Sequence, residues 1–228
     1  MNLAQTIELF CTGTSEGANK AWDERGRKGI EVNIDPAAKK MLKQYNVSKN
    51  DVVRGFTFNN PDYHVKYLGI NSSTEFGGYL IVYGNVADSS GRQMGWFKNS
   101  ILGKKVQHNE FQLDESAQGK GVATSLFKNE LALYRKMGLK EIGLRAIQVG
   151  KYTWATHGFD FDSKETLDSA KSAFASFVKN KHGVSLSAGD IAGLKHSWDI
   201  ARFSIGGKKV GKEFMLKKMK DWNGEMSL

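Results

Sequence analysis

Four segments between residues 63 and 113 alternate apolar and polar side chains, and they constrain the fold of this chain more than any other feature. Polar or glycine-rich breaks such as ADSSGRQ and LGKK separate them. Alternation of this kind is typical of strands with one buried face, and short breaks join antiparallel neighbours. The pattern predicts an antiparallel meander built from HVKYLGI, GGYLIVYGNVA, QMGWFKNSI and KVQHNEFQL.

The period changes from two to 3.6 after the meander, which predicts a long helix ended by Gly138. Its inner face is expected to carry Val122, Ala123, Leu126, Phe127, Leu131, Tyr134 and Met137. The apolar segment EIGLRAI that follows predicts a further strand at 141–147. A strand, a helix and a strand in this order form a crossover, so the strands at 106–113 and 141–147 are expected to be parallel neighbours.

The flanking segments complete an α+β prediction. Ile30 to Ile34 alternates as a strand does, and Asp35 before Pro36 is a good start for a helix. Ser163 caps an amphipathic helix that stops at Gly183. The predicted fold is a mixed, mainly antiparallel sheet with helices on both faces and a C-terminal helical extension. The expected divisions are an N-terminal extension over 1–28, a main domain over 29–162 and a helical elaboration over 163–228.

Charge and composition bound the partners and the compartment. Cys11 is the only cysteine, which excludes an intramolecular disulfide and a cysteine zinc cluster and fits the cytoplasm. No apolar run approaches the roughly 20 residues of a membrane helix, so no membrane partner is expected. The net charge is +9, which favours anionic partners such as nucleic acid, acidic protein surfaces or a phosphorylated cofactor, with a basic soluble surface as the alternative. The C-terminal part of this charge comes from Arg202, Lys208, Lys209, Lys212, Lys217, Lys218 and Lys220.

The segment FQLDESAQGKGVATSLF, residues 111–127, carries the most chemistry. A strand ends near Leu113, and Gln118-Gly119-Lys120-Gly121 opens the long helix. The first amides of a helix have no internal partners and lie at the positive end of its dipole, so they can hold an anion. The glycines leave those amides accessible, and Lys120 adds positive charge. The segment predicts a pyrophosphate cradle, with a simple tight turn as the alternative reading.

Two other phosphate-binding loops fit this segment less well. The loop of the nucleotide hydrolases requires Ser or Thr directly after its lysine, and Lys120 is followed by Gly121. The dinucleotide loop requires a third glycine where this chain has Thr124, and it follows an early parallel strand.

Gln118-Gly119-Lys120-Gly121-Val122-Ala123 resembles the coenzyme A loop of the GNAT acetyltransferases, R/Q-x-x-G-x-G/A. The predicted order of elements over about residues 29–162 is similar to that family, and His157-Gly158-Phe159 is similar to its later Gly-Phe signature. The resemblance implies acetyl-CoA as co-substrate and an amine acceptor that the sequence does not identify.

The same resemblance assigns roles to the loop. The amides of Gln118, Gly119, Lys120, Gly121, Val122 and Ala123 would hold the pyrophosphate. The backbone near Leu113 would hydrogen-bond the pantetheine arm as an added strand would. The acyl carbonyl would lie in the splay between the strand ending at Leu113 and the strand at 141–147.

Candidate catalytic residues lie before and after this loop. Acyl transfer to an amine needs a base and a means of protonating the leaving thiolate. Glu110 and His108 lie two apart on one strand and are the candidate bases, with a solvated strand face as the alternative for each. The family often places a tyrosine that acts as the general acid where this chain has Trp154. Tyr152 is the nearby candidate, but it lies about half a helical turn away, so its ring is expected to point elsewhere.

Two classes of function therefore remain open from the sequence. The first is an N-acyltransferase acting from acetyl-CoA; the second, favoured by Trp154, is a catalytically inactive GNAT-like binding or structural protein. SEGANKAWDERGRKG and GKYTWATHGFDF are similar to segments of phage and mobile-element proteins, which adds a phage particle component to the second class. His182 and His196 lack the spacing of metal ligands, so no metal site is expected.

Overall fold

The computed structural model describes residues 19–21, 30–58, 60–75 and 78–228. These residues form two compact units. The first contains the described residues up to Lys98 together with Glu110–Met137, and the second contains Asn99–Asn109 and Gly138–Leu228. The extension predicted over residues 1–28 lies outside the described residues, except for 19–21.

The elements follow the predicted order closely. The strands are β1 (Asn19–Ala21), β2 (Ile30–Ile34), β3 (Tyr63–Ser73), β4 (Tyr79–Asp88), β5 (Gln93–Leu102), β6 (Lys105–Leu113), β7 (Glu141–Ala146), β8 (Asp160–Phe161) and β9 (Trp222–Ser227). The helices are α1 (Pro36–Gln44), α2 (Lys49–Gly55), α3 (Val122–Lys136), α4 (Gly150–Thr156), α5 (Lys164–His182), α6 (Ala188–Gly193), α7 (Ser197–Arg202) and α8 (Val210–Lys217). The four predicted meander strands are confirmed as β3 to β6, and the α+β class is confirmed.

The sheet of the first unit is mixed, with the order β1-β2-β3-β4-β5. β2 pairs with β3 in parallel, whereas β1–β2 and β3–β4 are antiparallel. α1 begins as predicted, because the carboxylate of Asp35 accepts a hydrogen bond of 2.7 Å from the amide of Ala38. The same carboxylate accepts from the amide of Ser72 in β3, so the start of the helix is tied to the sheet.

Phe56 lies in the core of the first unit. Its ring stacks on Phe97 at 5.7 Å between centroids and meets Tyr134 edge-on at 6.2 Å. Gly55 permits the close approach of α2 to α3, since a Cβ there would stand 2.5 Å from Cδ2 of Leu133. Burying one such aromatic side chain stabilises by about 2–3 kcal/mol, so this cluster holds α3 firmly.

The inner face of α3 differs in part from the predicted one. The residues predicted and found to be buried are Val122, Leu126, Phe127, Tyr134 and Met137. Ala123 and Leu131 are half-buried, and Glu130 and Leu133 are buried instead. Positions 126, 130, 133 and 137 follow the helical period, so the buried face is centred on them.

The second unit has the strand order β6-β7-β9-β8. β6 and β7 are parallel neighbours as predicted, paired from Lys105 with Glu141 to His108 with Leu144. β9 lies between β7 and β8 and is antiparallel to both. β9 was not predicted, because the residues after 162 were expected to be helical.

The helices of the second unit include the predicted amphipathic one, α5. Ser163 accepts a hydrogen bond of 3.1 Å from the amide of Thr166 at its start, and Gly183 ends it at a φ of 69°. Residues 138–162 and 163–228 belong to the same compact unit, and the domain boundaries at 28/29 and 162/163 remain predictions. None of the helices within the described ranges combines the length and hydropathy that spanning a bilayer requires.

Candidate functional site

The loop that connects β6 to α3 lies in the first unit, and hydrogen bonds hold its shape. The amide of Asp114 donates to the carbonyl of Met94 at 2.8 Å, which holds the end of the strand in place. A 3-10 turn over Glu115–Ala117 follows. The side-chain amide of Gln118 then reaches back and donates to the carbonyl of Leu113 at 3.0 Å, so it closes the loop.

The backbone amide of Gln118 donates within this turn, to the carbonyls of Asp114 and Glu115 at 3.2 Å each. It is therefore engaged inside the loop, unlike the expectation that it would face a pyrophosphate. The structure assigns Gln118 to the bracing of the loop through its side chain. The assignment of the amides of residues 119–123 to a pyrophosphate stays a prediction.

Two glycines of this loop need their backbone freedom. Gly119 has a φ of 71°, and Gly121, the N-cap of α3, has a φ of 78°. This left-handed region costs other residues roughly 1–2 kcal/mol. A Cβ built on either glycine meets nothing within 4 Å, so backbone conformation and not crowding requires glycine here. Open space stands where the side chains would be.

Asn60 and Tyr63 hold this loop from the side. The side-chain amide of Asn60 donates to the carbonyl of Lys120 at 3.1 Å, and the hydroxyl of Tyr63 donates to the carbonyl of Ser116 at 3.3 Å. In a trans peptide the C=O of one residue and the N–H of the next point in opposite directions. The N–H of Gly121 therefore points away from Asn60.

The start of α3 favours negative charge. Gly121 has no side chain to cap the first amides, and the first turn carries no acidic residue. The helix runs for 15 residues, and its dipole places partial positive charge at this end. Lys120 is exposed beside it. Val122, 1% exposed, and Asn129, which donates to the carbonyl of Thr57 at 2.6 Å, anchor the helix in the first unit.

The two candidate bases on β6 have different surroundings. Glu110 is exposed. His108 is 7% exposed, and burial lowers its pKa to about 3. Its ring meets Trp154 edge-on at 6.0 Å and lies 6.4 Å from Phe159. The alternative expected from the sequence, a solvated face for both residues, is therefore wrong for His108.

Trp154, at the position where a tyrosine acid was expected, packs with the rings of His108 and Phe159. Its ring lies 5.4 Å from Phe159 and 6.0 Å from His157, both edge-on. Tyr152, two residues earlier on α4, faces another neighbour, because the Nζ of Lys212 lies 5.3 Å from its ring centroid. The structure thus brings the predicted base His108 together with Trp154, and it pairs Tyr152 with a lysine.

The two histidines that were not expected to bind a metal each lie beside a carboxylate. His196 Nδ1 lies 2.6 Å from Asp160, and His182 Nε2 lies 3.4 Å from Glu213. No group of three or more His, Cys, Asp or Glu side chains within the described ranges could hold a metal ion.

Asn60 and Tyr63 are the site residues that sequence reasoning missed. Asn60 precedes Pro61, a pair that favours a turn, so the sequence marks a turn there. Their partners are 60 and 53 residues away in the chain, and no local pattern encodes such a contact.

Solved structures of acetyltransferases show partial similarity to this chain. PaiA N-acetyltransferase from Thermoplasma acidophilum, in complex with coenzyme A, is 17% identical over 36% of this chain, with a TM-score of 0.33, and the match spans about half, 53%, of that protein. Nourseothricin acetyltransferase is 10% identical over 51% of this chain and 82% of its own, with a TM-score of 0.34.

A GNAT family acetyltransferase from Elizabethkingia anophelis with acetyl-CoA bound is 10% identical over 66% of this chain and 76% of its own, with a TM-score of 0.35. No protein-family model and no curated protein sequence matches the chain.

Proposed function

We propose that this chain is an N-acyltransferase of the GNAT type, which transfers an acetyl group from acetyl-CoA to an amine. The observation that carries the proposal is the loop from Leu113 to Ala123. It has the glycine spacing of the coenzyme A loop, its N-cap Gly121 lies in the left-handed region, and Asn60 orients the peptide before that glycine.

In this proposal the amides of residues 119–123 hold the pyrophosphate of the co-substrate. An anion at a helix start gains from both the amides and the dipole. The loop is braced before binding by Gln118, Asn60 and Tyr63, so little conformational freedom is lost when the ligand arrives. Lys120 is exposed, so its charge adds a smaller, salt-sensitive attraction.

The proposed reaction moves one acetyl group and one proton. The lone pair of the neutral acceptor amine attacks the thioester carbonyl carbon, a base removes one proton from the nitrogen, the carbon–sulfur bond breaks, and the leaving thiolate takes up one proton to become the free thiol. We assign Glu110 as the base, directly or through a water molecule, because it is exposed and carboxylates perform this role.

His108 is a poorer base than Glu110 in this proposal. A histidine with a pKa of about 3 is neutral at pH 7, but its protonated form is too acidic for it to remove a proton efficiently. Its aromatic neighbours favour a packing role. Tyr152 remains the candidate acid, although its ring faces Lys212.

A second function is favoured by Trp154. An indole N–H does not release a proton in this pH range, so a chain with tryptophan here can bind coenzyme A without turning it over. The alternative is therefore a GNAT-like binding protein that retains the loop and lacks catalysis.

Calorimetry with acetyl-CoA and an assay of free thiol separate these functions. The acceptors should include lysine peptides, peptides with a free N-terminus and polyamines, and Gly121→Asp serves as the loop-negative control. Binding with acceptor-dependent thiol release supports the enzyme. Binding without release from any acceptor supports the alternative. A folded protein that binds no acetyl-CoA contradicts both.

A further inference from the structure

The second unit carries a group of lysine and arginine side chains to which the proposed acetyl transfer assigns no role. Residues 195–220 contain eight of the 33 lysines and arginines of the chain and two carboxylates. Asp199 accepts hydrogen bonds from the amides of Lys195 and His196, each at 2.9 Å. The positive charge of this segment therefore greatly exceeds its negative charge.

Glu213, the other carboxylate, forms its ion pairs at one end of this segment. It forms ion pairs with Lys181 and with Lys217, the latter at 3.2 Å, and lies 3.4 Å from His182. Hydrogen bonds from the two lysines lower the pKa of Glu213 to about 2, so it stays charged and paired with them. Lys208, Lys209 and Lys212 are exposed and lie outside this cluster.

A tight turn and the start of α8 carry these three lysines. Ile205 and Lys208 exchange backbone hydrogen bonds of 3.0 and 2.9 Å across two glycines, Gly206 and Gly207, whose φ angles are 53° and 80°. Such a two-residue turn fixes the backbone on both sides. α8 begins at once after it and is pressed against α7, since a Cβ on Gly211 would stand 1.8 Å from the carbonyl oxygen of Ile200.

α4 and α7 extend the same surface. The Nζ of Lys212 lies over the half-exposed ring of Tyr152 on α4. Arg202 at the end of α7 donates to the carbonyl of Thr156 at 3.1 Å, and Lys151 donates to the carbonyl of Met219 at 2.7 Å. We call the set Lys151, Arg202, Lys208, Lys209 and Lys212, with Tyr152 among them, the α4–α8 basic surface.

We propose that the α4–α8 basic surface binds nucleic acid through its phosphate backbone. Lys208, Lys209 and Lys212 are exposed and close together in the chain, and contacts between α4 and residues 202–219 hold Lys151, Arg202 and Lys212. Grouped cations match the charge of a polyphosphate, and an aromatic ring beside them is a combination that nucleic-acid surfaces use. A membrane partner fits less well. The apolar residues of α8, Val210, Phe214 and Met215, are buried in the unit and cannot insert into a bilayer.

Fluorescence anisotropy with a labelled DNA duplex and a labelled single strand of mixed sequence tests this surface. The test variant combines Lys208→Gln, Lys209→Gln and Lys212→Gln. The matched control combines Lys39→Gln, Lys40→Gln and Lys43→Gln, three exposed lysines on α1 in the first unit, so both variants lose the same charge. Circular dichroism verifies that each remains folded.

The proposal predicts that wild type and control bind alike and that the test variant binds about tenfold or more weakly at low salt. Because each lost phosphate contact to a duplex lowers the steepness of log K against log salt by about 0.9, the slope should flatten by roughly 2 to 3.

Three results would overturn it: equal losses in both variants, a flat salt dependence of the wild type, or binding to anionic vesicles in place of either DNA. Acetyl-CoA calorimetry on the same variants keeps this test distinct from that of the acetyl transfer.

Discussion

The side-chain amide of Asn60 donates a hydrogen bond of 3.1 Å to the carbonyl oxygen of Lys120, and its own oxygen accepts from the amides of Asp62 and Tyr63. One side chain thus joins the turn before β3 to the glycine loop before α3. Because the donation fixes the peptide between Lys120 and Gly121, Asn60 is a positioning residue for the amide of Gly121.

Asn60→Asp keeps the acceptor for Asp62 and Tyr63 and removes the donor to Lys120. We expect the affinity for acetyl-CoA to fall about tenfold, since one hydrogen bond is lost and a carboxylate is placed against a carbonyl. Calorimetric titration with acetyl-CoA measures this affinity. Asn180→Asp, an exposed position near the end of α5, makes the same chemical change as a control. Equal affinities in both variants would show that the bond does not position the loop.

Gly121→Asp is expected to abolish acetyl-CoA binding in a folded protein. The carboxylate would stand in the open space before the helix start, where the pyrophosphate is proposed to bind. Gly121→Asn is the matched control, because asparagine has nearly the same shape, carries no charge and tolerates the left-handed region. Both should melt at similar temperatures, and only the asparagine variant should retain measurable binding by calorimetry. If Gly121→Asp binds acetyl-CoA as tightly as wild type does, the loop is only a tight turn and does not hold the pyrophosphate.

The buried His108 should make the stability depend on pH. The unfolded chain binds a proton at this residue below about pH 6.5, whereas the folded protein does so only near pH 3. The unfolded state therefore binds more protons between these values, and acidification destabilises the fold. From pH 7 to pH 5 the loss from this group is about 2 kcal/mol.

Urea unfolding of wild type and His108→Phe at pH 7, 6 and 5 checks this expectation. Groups other than His108 titrate in both proteins, so the difference between their curves isolates this residue. The variant should lose less stability on acidification. Parallel curves would mean that His108 is protonated equally in the folded and unfolded states.

Trp154→Tyr and Trp154→Phe separate packing from proton donation at the expected acid position. Each leaves a similar void beside His108 and Phe159, with a loss of stability of roughly 1–3 kcal/mol. Only tyrosine supplies a hydroxyl. If protonation of the thiolate limits the reaction, thiol release should be faster in the tyrosine variant than in the phenylalanine variant, at equal affinity for acetyl-CoA. Equal rates of thiol release would show that a hydroxyl at position 154 does not protonate the thiolate.

The local patterns of the sequence predicted most of the elements. The alternation of β3 to β6 and the caps at Asp35 and Ser163 are set by interactions within a few residues. Each of these predictions succeeded because the physical cause is local.

The failures arose where the cause is distant. The segment WNGEMS does alternate buried and exposed residues, but it is short, contains a glycine and follows a lysine-rich helix. Its strand conformation depends on β7 and β8. In the same way, the contact of His108 with Trp154 joins residues 46 positions apart, so neither burial nor the resulting pKa could be inferred from the strand alone.

The position of β9 between β7 and β8 has a consequence during synthesis on the ribosome. β7 and β8 are translated first, yet each can gain its pairing with β9 only after Trp222–Ser227 has been made, about 60 residues after β8. At about 5–20 residues per second this interval lasts roughly 3–12 s. Throughout it the nascent chain exposes open strand edges in the second unit, a state in which chaperones would bind and other nascent chains could pair.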